Sequence, residues 1–154
     1  MPEIDVINLR TWKPADSPPG HTYVYAGRRA PNRPGSPLAN PFKLASEDLR
    51  AACLRQYDEW LDEQLPTSPA RRELRRLIDL AKQGPLVLGC WCAPALCHVD
   101  MVRARILFTI AWEAADEQGR YALDERAAIL QYEAGLMRGE AEKRAVEAVG
   151  KGDE

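Results

Sequence analysis

The 154-residue sequence predicts a single α/β domain, a short and mostly parallel sheet flanked by helices and followed by a C-terminal helical extension. Three observations carry this expectation. Two strand-like segments near the N-terminus precede two consecutive amphipathic helical patterns. A nearly continuous apolar run, "PLVLGCWC", has the length of a central strand covered on both faces, and a long apolar helical pattern follows it directly.

In chain order, "IDVINLR" sets apolar Ile4 and Val6 between polar neighbours, and "HTYVYAG" is rich in aromatic and β-branched residues and stops at Gly27. Both read as strands. Prolines 14, 18 and 19 make the stretch between them a loop, and prolines 31, 34, 37 and 41 do the same to "RRAPNRPGSPLANPF". A structureless stretch of that length suits a binding or lid loop as well as a tolerated surface insertion. "SEDLRAACLRQYDEWLDEQL" predicts a helix capped by Ser46, with Glu47 and Asp48 at its positive end and Leu49, Cys53, Tyr57, Trp60, Leu61 and Leu65 along one stripe. A second helix has Ser68 as cap, Pro69 at its first position, Leu74, Leu77, Ile78 and Ala81 facing inward, and Gly84 as its stop.

After the central strand, a helix starting near His98 is apolar around most of its circumference, with Arg103 and Arg105 as the main exceptions. Residues 1–118 are expected to form the α/β domain. Residues 119–154 are expected to form a peripheral helical extension, with a cap at Asp124, glycines 135 and 139 dividing it, and a thin stripe of Ala127, Leu130, Ala134 and Met137. Its helices offer a surface through which two copies of the chain would pair as a homodimer.

Composition narrows the function classes. Apolar residues make up 45% and charged residues 29%, the balance of a folded globular protein. A net charge of -2 argues against a broad nucleic-acid surface and leaves a small anionic ligand open. No run reaches the roughly 18 apolar residues of a membrane span, and "MPEIDVINLR" lacks the order of a signal peptide, so no membrane partner and a cytoplasmic location are expected.

Three of the four cysteines and one of the two histidines fall within "LGCWCAPALCHVD". Alternation along a strand puts Cys90 and Cys92 on one side and Trp91 on the other, and Cys97 and His98 lie where the next helix begins. Three readings of this strand-to-helix turn stay open. Cys90, Cys92, Cys97 and His98 supply the donors of a tetrahedral zinc site, although adjacency makes it awkward for Cys97 and His98 to share one ion. Alternatively, the helix start and a neighbouring imidazole make Cys97 a nucleophilic thiolate, with His98 as acid or base and Asp100 either orienting it or stabilising the helix N-terminus. In the third reading the thiols are small buried hydrophobes, as Cys53 is expected to be. Arg28, Arg29 and Arg33 open the proline-rich loop, and in a parallel sheet that loop and the thiol turn emerge at the same edge, where α/β sheets bind ligands.

The ordered segments "VYAGR", "NPF", "YDEWL" and "LGCWCAPALCHVD" resemble the family called domain of unknown function 4326, small bacterial and phage proteins carrying G-R, GNPF, KY-x-x-WL and GCWC-x-P-x-x-CHGD motifs. The likeness spans about Ile4 to Leu107. It marks Gly27, Arg28, Asn40, Pro41, Phe42, Tyr57, Trp60, Cys90, Trp91, Cys92, Pro94, Cys97, His98 and Asp100. Ala39 and Val99 replace two family glycines, and at Val99 a β-branched residue suits a helical position better than positive φ. The resemblance implies a shared site without a reaction. Analogy with small Rossmann-like proteins suggests a nucleotide-like or other phosphate-bearing ligand, held by Arg28, Asn40, Phe42 and Trp91, with Cys97, His98 and Asp100 as the catalytic candidates of an enzyme on nucleotides or nucleobases. The alternative is a non-catalytic accessory protein whose Cys/His cluster holds a structural zinc.

Overall fold

A computed structural model describes residues 2–91 and 96–152. Its strands are β1 (Ile4–Asn8), β2 (Thr22–Tyr25) and β3 (Leu86–Cys90), and its helices are α1 (Arg50–Glu63), α2 (Pro69–Gln83), α3 (His98–Ala114), α4 (Glu117–Tyr132) and α5 (Arg138–Gly152). Short 3-10 turns occupy Pro14–Asp16 and Glu47–Leu49. Cys92 and Pro94, which the sequence placed in the thiol turn, lie outside the described residues.

β3 runs between β1 and β2 and is parallel to both, in the order β1-β3-β2. The register pairs Asn8 with Cys90 and Tyr25 with Gly89, so the segments leaving β2 and β3 emerge at one edge. This is the small parallel α/β sheet the sequence predicts.

Alternation decides what each face of the sheet meets. Ile4, Val6, Val24, Leu86, Leu88 and Cys90 join a core with Tyr57 and Leu61 of α1, Leu77 and Ile78 of α2, and Val102 and Ile106 of α3. Behind β3, loop residues close the opposite face: Trp12 packs on Tyr23 with ring centroids 5.6 Å apart. At Gly89 a Cβ would come within 2.7 Å of the Tyr23 hydroxyl and 3.2 Å of Leu9 Cδ1. Every residue of β3 is buried, as a central strand requires.

α2 begins and ends where the sequence places it: the Ser68 hydroxyl accepts from the Arg71 N–H at 3.2 Å, Pro69 opens the helix and Gly84 follows its end. α1 is shorter than expected. Its N-terminal acids form a 3-10 turn, the Ser46 side chain makes no cap bond, and Gln64 is already extended before Leu65, whose own helical conformation is opposed by Pro66. Leu49 and Leu65 are therefore exposed instead of sharing the buried stripe.

The C-terminal segment also departs in detail. α4 starts at Glu117 with Asp116 as its cap, accepting from the Gly119 N–H at 2.8 Å. Asp124 is mid-helix and accepts from Trp112 Nε1 at 3.1 Å. Of the expected stripe, Ala127 is fully buried and Ala134 is exposed beyond the helix. Leu123, Ala127, Ala145 and Val146 form a second core with Phe108 of α3.

A buried ion network joins α5 to α1 and α3. Arg105 pairs with Asp58 at 2.8 Å and with Glu142 at 3.3 Å, and Asp62 completes its carboxylate neighbours. The second Asp58 oxygen accepts from the Gly139 N–H at 2.9 Å. Among the described residues, no helix is long and apolar enough to cross a membrane.

Candidate functional site

The shared carboxyl edge of β2 and β3 opens into a cleft of about 380 Å³, bounded by the proline-rich loop, the start of α1 and the start of α3. Ligands of open α/β sheets bind at such an edge.

The proline-rich loop forms a built wall. Arg28 donates from Nε to the Asn40 carbonyl at 2.8 Å and from Nη2 to the Phe42 carbonyl at 2.6 Å. Asn40 Oδ1 accepts from the Phe42 N–H at 2.9 Å, an Asx turn that fixes the NPF segment, while its Nδ2 meets Cys53 Sγ at 3.5 Å. Buried Tyr57 donates to the Leu38 carbonyl at 2.8 Å, and Leu38 itself belongs to the core. Thus Arg28 and Asn40, expected to grip a ligand, direct these polar groups to shaping the loop.

The opposite wall is aromatic. Trp91 Nε1 donates to the Tyr25 hydroxyl at 3.1 Å, and that hydroxyl donates to the Arg28 carbonyl at 2.6 Å. The Arg33 guanidinium lies 5.4 Å from the Tyr25 ring centre and 5.5 Å from that of Trp91. Gly27 allows this arrangement, because a Cβ there would meet the Tyr25 hydroxyl at 2.5 Å. Trp91 remains 39% exposed although its ring is held in place.

The floor carries Cys90, Cys97 and His98. His98 Nε2 lies 2.7 Å from the Ala26 carbonyl, and because a carbonyl only accepts, the proton sits on Nε2 and Nδ1 is the free acceptor in the neutral ring. Burial lowers the His98 pKa, which keeps the ring neutral, and the ring packs edge-on to Tyr57 with centroids 5.3 Å apart. The Cys97 thiol is pushed up by its hydrogen bond with Cys90 and then by burial, the reverse of the low value expected at a helix start. Cys97 is the N-cap of α3, and its N–H donates to Asp100 Oδ2 at 2.9 Å. Val99 is a fully buried helical residue, so no left-handed backbone is required at that position.

Seven of the expected ligand-binding, metal-ligating and catalytic residues therefore line one cleft: Arg28, Asn40, Phe42, Cys90, Trp91, Cys97 and His98. Asp100 does not join them. It caps α3 and faces a separate groove between α3 and α5. Two basic residues complete the rim. Arg29 makes no hydrogen bond or ion pair among the described residues, whereas Arg50 holds Glu47 with two nitrogens and the Leu96 carbonyl with the third. Sequence reading overlooked Arg50, because it appears there as one exposed charge at a helix start. The lining thus includes three arginines and, among the described residues, no carboxylate.

Cys53 also lines the cleft, with its thiol against the Phe42 carbonyl at 3.7 Å. Among the described residues, the one gathering of three metal-ligating groups is Glu3, Asp5 and His21, which lies near the start of the sheet and was not singled out from the sequence. Cys90, Cys97 and His98 all line the cleft, but they do not form a three-ligand set.

No curated protein and no solved structure matches the chain. A family model described as Domain of unknown function (DUF4326) matches residues 7–107, a span that contains every residue lining the cleft. The chain belongs to the DUF4326 family.

Proposed function

We propose that the cleft binds a small, flat, anionic ligand of the nucleotide type. The observation that carries this reading is the lining: three arginines and no carboxylate among the described residues, in a chain whose net charge is -2. Such local imbalance in a concave site focuses a positive potential on an incoming anion. Arg29 is the donor with an uncommitted fork, suited to phosphate or carboxylate. Trp91, held by Tyr25 and Arg33 yet exposed, offers a face for a planar ring, and Phe42 lends apolar surface across the cleft. The volume of about 380 Å³ falls in the range of small-molecule sites.

Binding is favoured over nucleophilic catalysis because each catalytic candidate already has a structural partner. The Cys97 thiol is buried and pushed up by Cys90, His98 is tied to Ala26, and Asp100 caps α3. A thermal-shift screen with nucleoside mono-, di- and triphosphates, free nucleobases and inorganic phosphate tests the reading. At least one phosphate-bearing compound should raise the melting temperature, and Arg29→Ala should diminish that rise at the same ligand concentration. No shift across the panel, or an undiminished shift in Arg29→Ala, overturns it.

A further inference from the structure

The geometry points to His98 as the residue that selects the ligand, its Nδ1 accepting from an N–H on the edge of a nucleobase while the phosphate stays at the arginine rim. The role rests on the nucleotide reading and adds to it an orientation and a chemical requirement. His98 is the first residue of α3, and its ring is held from two sides. Nε2 donates to the Ala26 carbonyl at 2.7 Å, and Ala26 is itself fully buried with its N–H on the Gly89 carbonyl at 3.3 Å. On the other side the ring meets Tyr57 edge-on at 5.3 Å, and the Tyr57 hydroxyl is fixed by the Leu38 carbonyl at 2.8 Å. A ring pinned in this way keeps Nδ1 in one direction.

Among the described residues Nδ1 has no hydrogen-bond partner. The buried side-chain atoms without partners among them are Ser17 Oγ, His21 Nδ1, Arg105 Nε and Glu142 Oε2, so His98 Nδ1 is left to the open cleft that its residue lines. The side-chain oxygen acceptors there are engaged: the Tyr25 hydroxyl accepts from Trp91 Nε1 and Asn40 Oδ1 from the Phe42 N–H. An ionised phosphate offers no proton to Nδ1, whereas the Watson–Crick edge of a base offers an N–H and its face can stack on Trp91. Burial lowers the His98 pKa and keeps Nδ1 an acceptor at neutral pH. A base lacking the N–H would leave Nδ1 desolvated and unpaired, which is what lets the site reject it.

The test pairs each nucleoside 5′-phosphate that binds with its counterpart methylated at the Watson–Crick N–H. These are N3-methyl for uridine, N1,N2,N2-trimethyl for guanosine, N6,N6-dimethyl for adenosine and N4,N4-dimethyl for cytidine. Calorimetry on the unaltered chain should show about tenfold or weaker binding of the methylated member. In His98→Ala that ratio should fall to about threefold or less, whereas a purely structural His98 would weaken both members equally and leave the ratio unchanged. Histidine labelled with ¹⁵N reports the acceptor directly. In the free protein His98 should carry its proton on Nε2, and its Nδ1 resonance should shift on saturation with the unmethylated compound. His21, beside Glu3 at the other end of the sheet, should not move. Should His98→Ala fail to fold, the methylated compounds and the ¹⁵N spectra of the unaltered chain decide the matter. A proton on Nδ1 in the free protein, an unmoved Nδ1 resonance at saturation, equal affinity within the pair or an unchanged ratio in His98→Ala overturns the role of His98 and leaves the nucleotide reading standing. Absence of binding by every nucleoside phosphate overturns that reading and the role of His98 together.

Discussion

Arg28 and Arg29 are neighbours in sequence with opposite roles in this account, and replacing each in turn separates loop structure from ligand contact. Arg28 donates to the carbonyls of Asn40 and Phe42, so Arg28→Ala removes two hydrogen bonds that fix the NPF wall. At about 0.5–1.5 kcal/mol net per bond, the loss is about 1–3 kcal/mol. For a chain of this size each kcal/mol lowers the melting temperature by about 2–4 °C, so Arg28→Ala should melt about 2–12 °C lower. Arg29 has no such partners, and Arg29→Ala should melt within about 1–2 °C of the parent, in keeping with surface substitutions worth about 0.5 kcal/mol or less. Hydrogen exchange adds a local readout: the amides of Leu38, Ala39 and Phe42 should lose protection in Arg28→Ala and keep it in Arg29→Ala. Equal melting temperatures for the two variants, or faster exchange in Arg29→Ala, would refute the division of roles.

Three further outcomes follow from the packing. Arg105→Met should cost about 3–5 kcal/mol in urea unfolding, because it leaves buried Asp58 and Glu142 without their shared cation, and a loss below about 1 kcal/mol would show that the network does not hold α5 in place. Burial raises the Glu142 pKa above its ordinary value of 4.5 despite Arg105 and Arg138, so its contribution to stability is full below about pH 4.5 and is lost as pH rises through the folded-state value. Glu142→Gln should consequently gain on the parent protein between pH 4.5 and 7.5, and a gap that moves the other way contradicts the assignment. Gly27→Ala should cost about 1–3 kcal/mol by driving a Cβ into Tyr25, and it should alter the near-ultraviolet circular dichroism as Trp91 loses its partner; an unchanged spectrum contradicts the lock on Trp91.

The elements most legible in the sequence are those with local signals. Ser68, Pro69 and Gly84 delimit α2 because capping and proline act within one turn of the chain. "PLVLGC" marks β3 because a central strand needs apolar residues on both faces. The site's location followed from parallel strands alone, since the loop after Tyr25 and the turn after Cys90 leave the same edge. What pattern reading missed depends on partners distant in sequence. Arg105 interrupts an apolar helix, and its meaning appears only when Asp58 and Glu142, 47 and 37 residues away, close around it. Arg28 looks like any exposed arginine until the carbonyls of Asn40 and Phe42 turn toward it. Asp124 and Asp116 are equivalent as cap residues on paper, and the choice falls to Asp116 because the chain is extended at Ala115, where α3 stops.

In the proposed binding mode an anion enters the cleft and meets Arg29. Calorimetric titration of the best phosphate-bearing compound from the thermal-shift screen tests it most directly, using the parent protein, Arg29→Ala and Arg29→Lys at one fixed ionic strength. A charge-assisted hydrogen bond of about 1.5–3 kcal/mol predicts about 10- to 150-fold weaker binding for Arg29→Ala, with partial recovery in Arg29→Lys. Equal affinity in all three proteins would contradict the account.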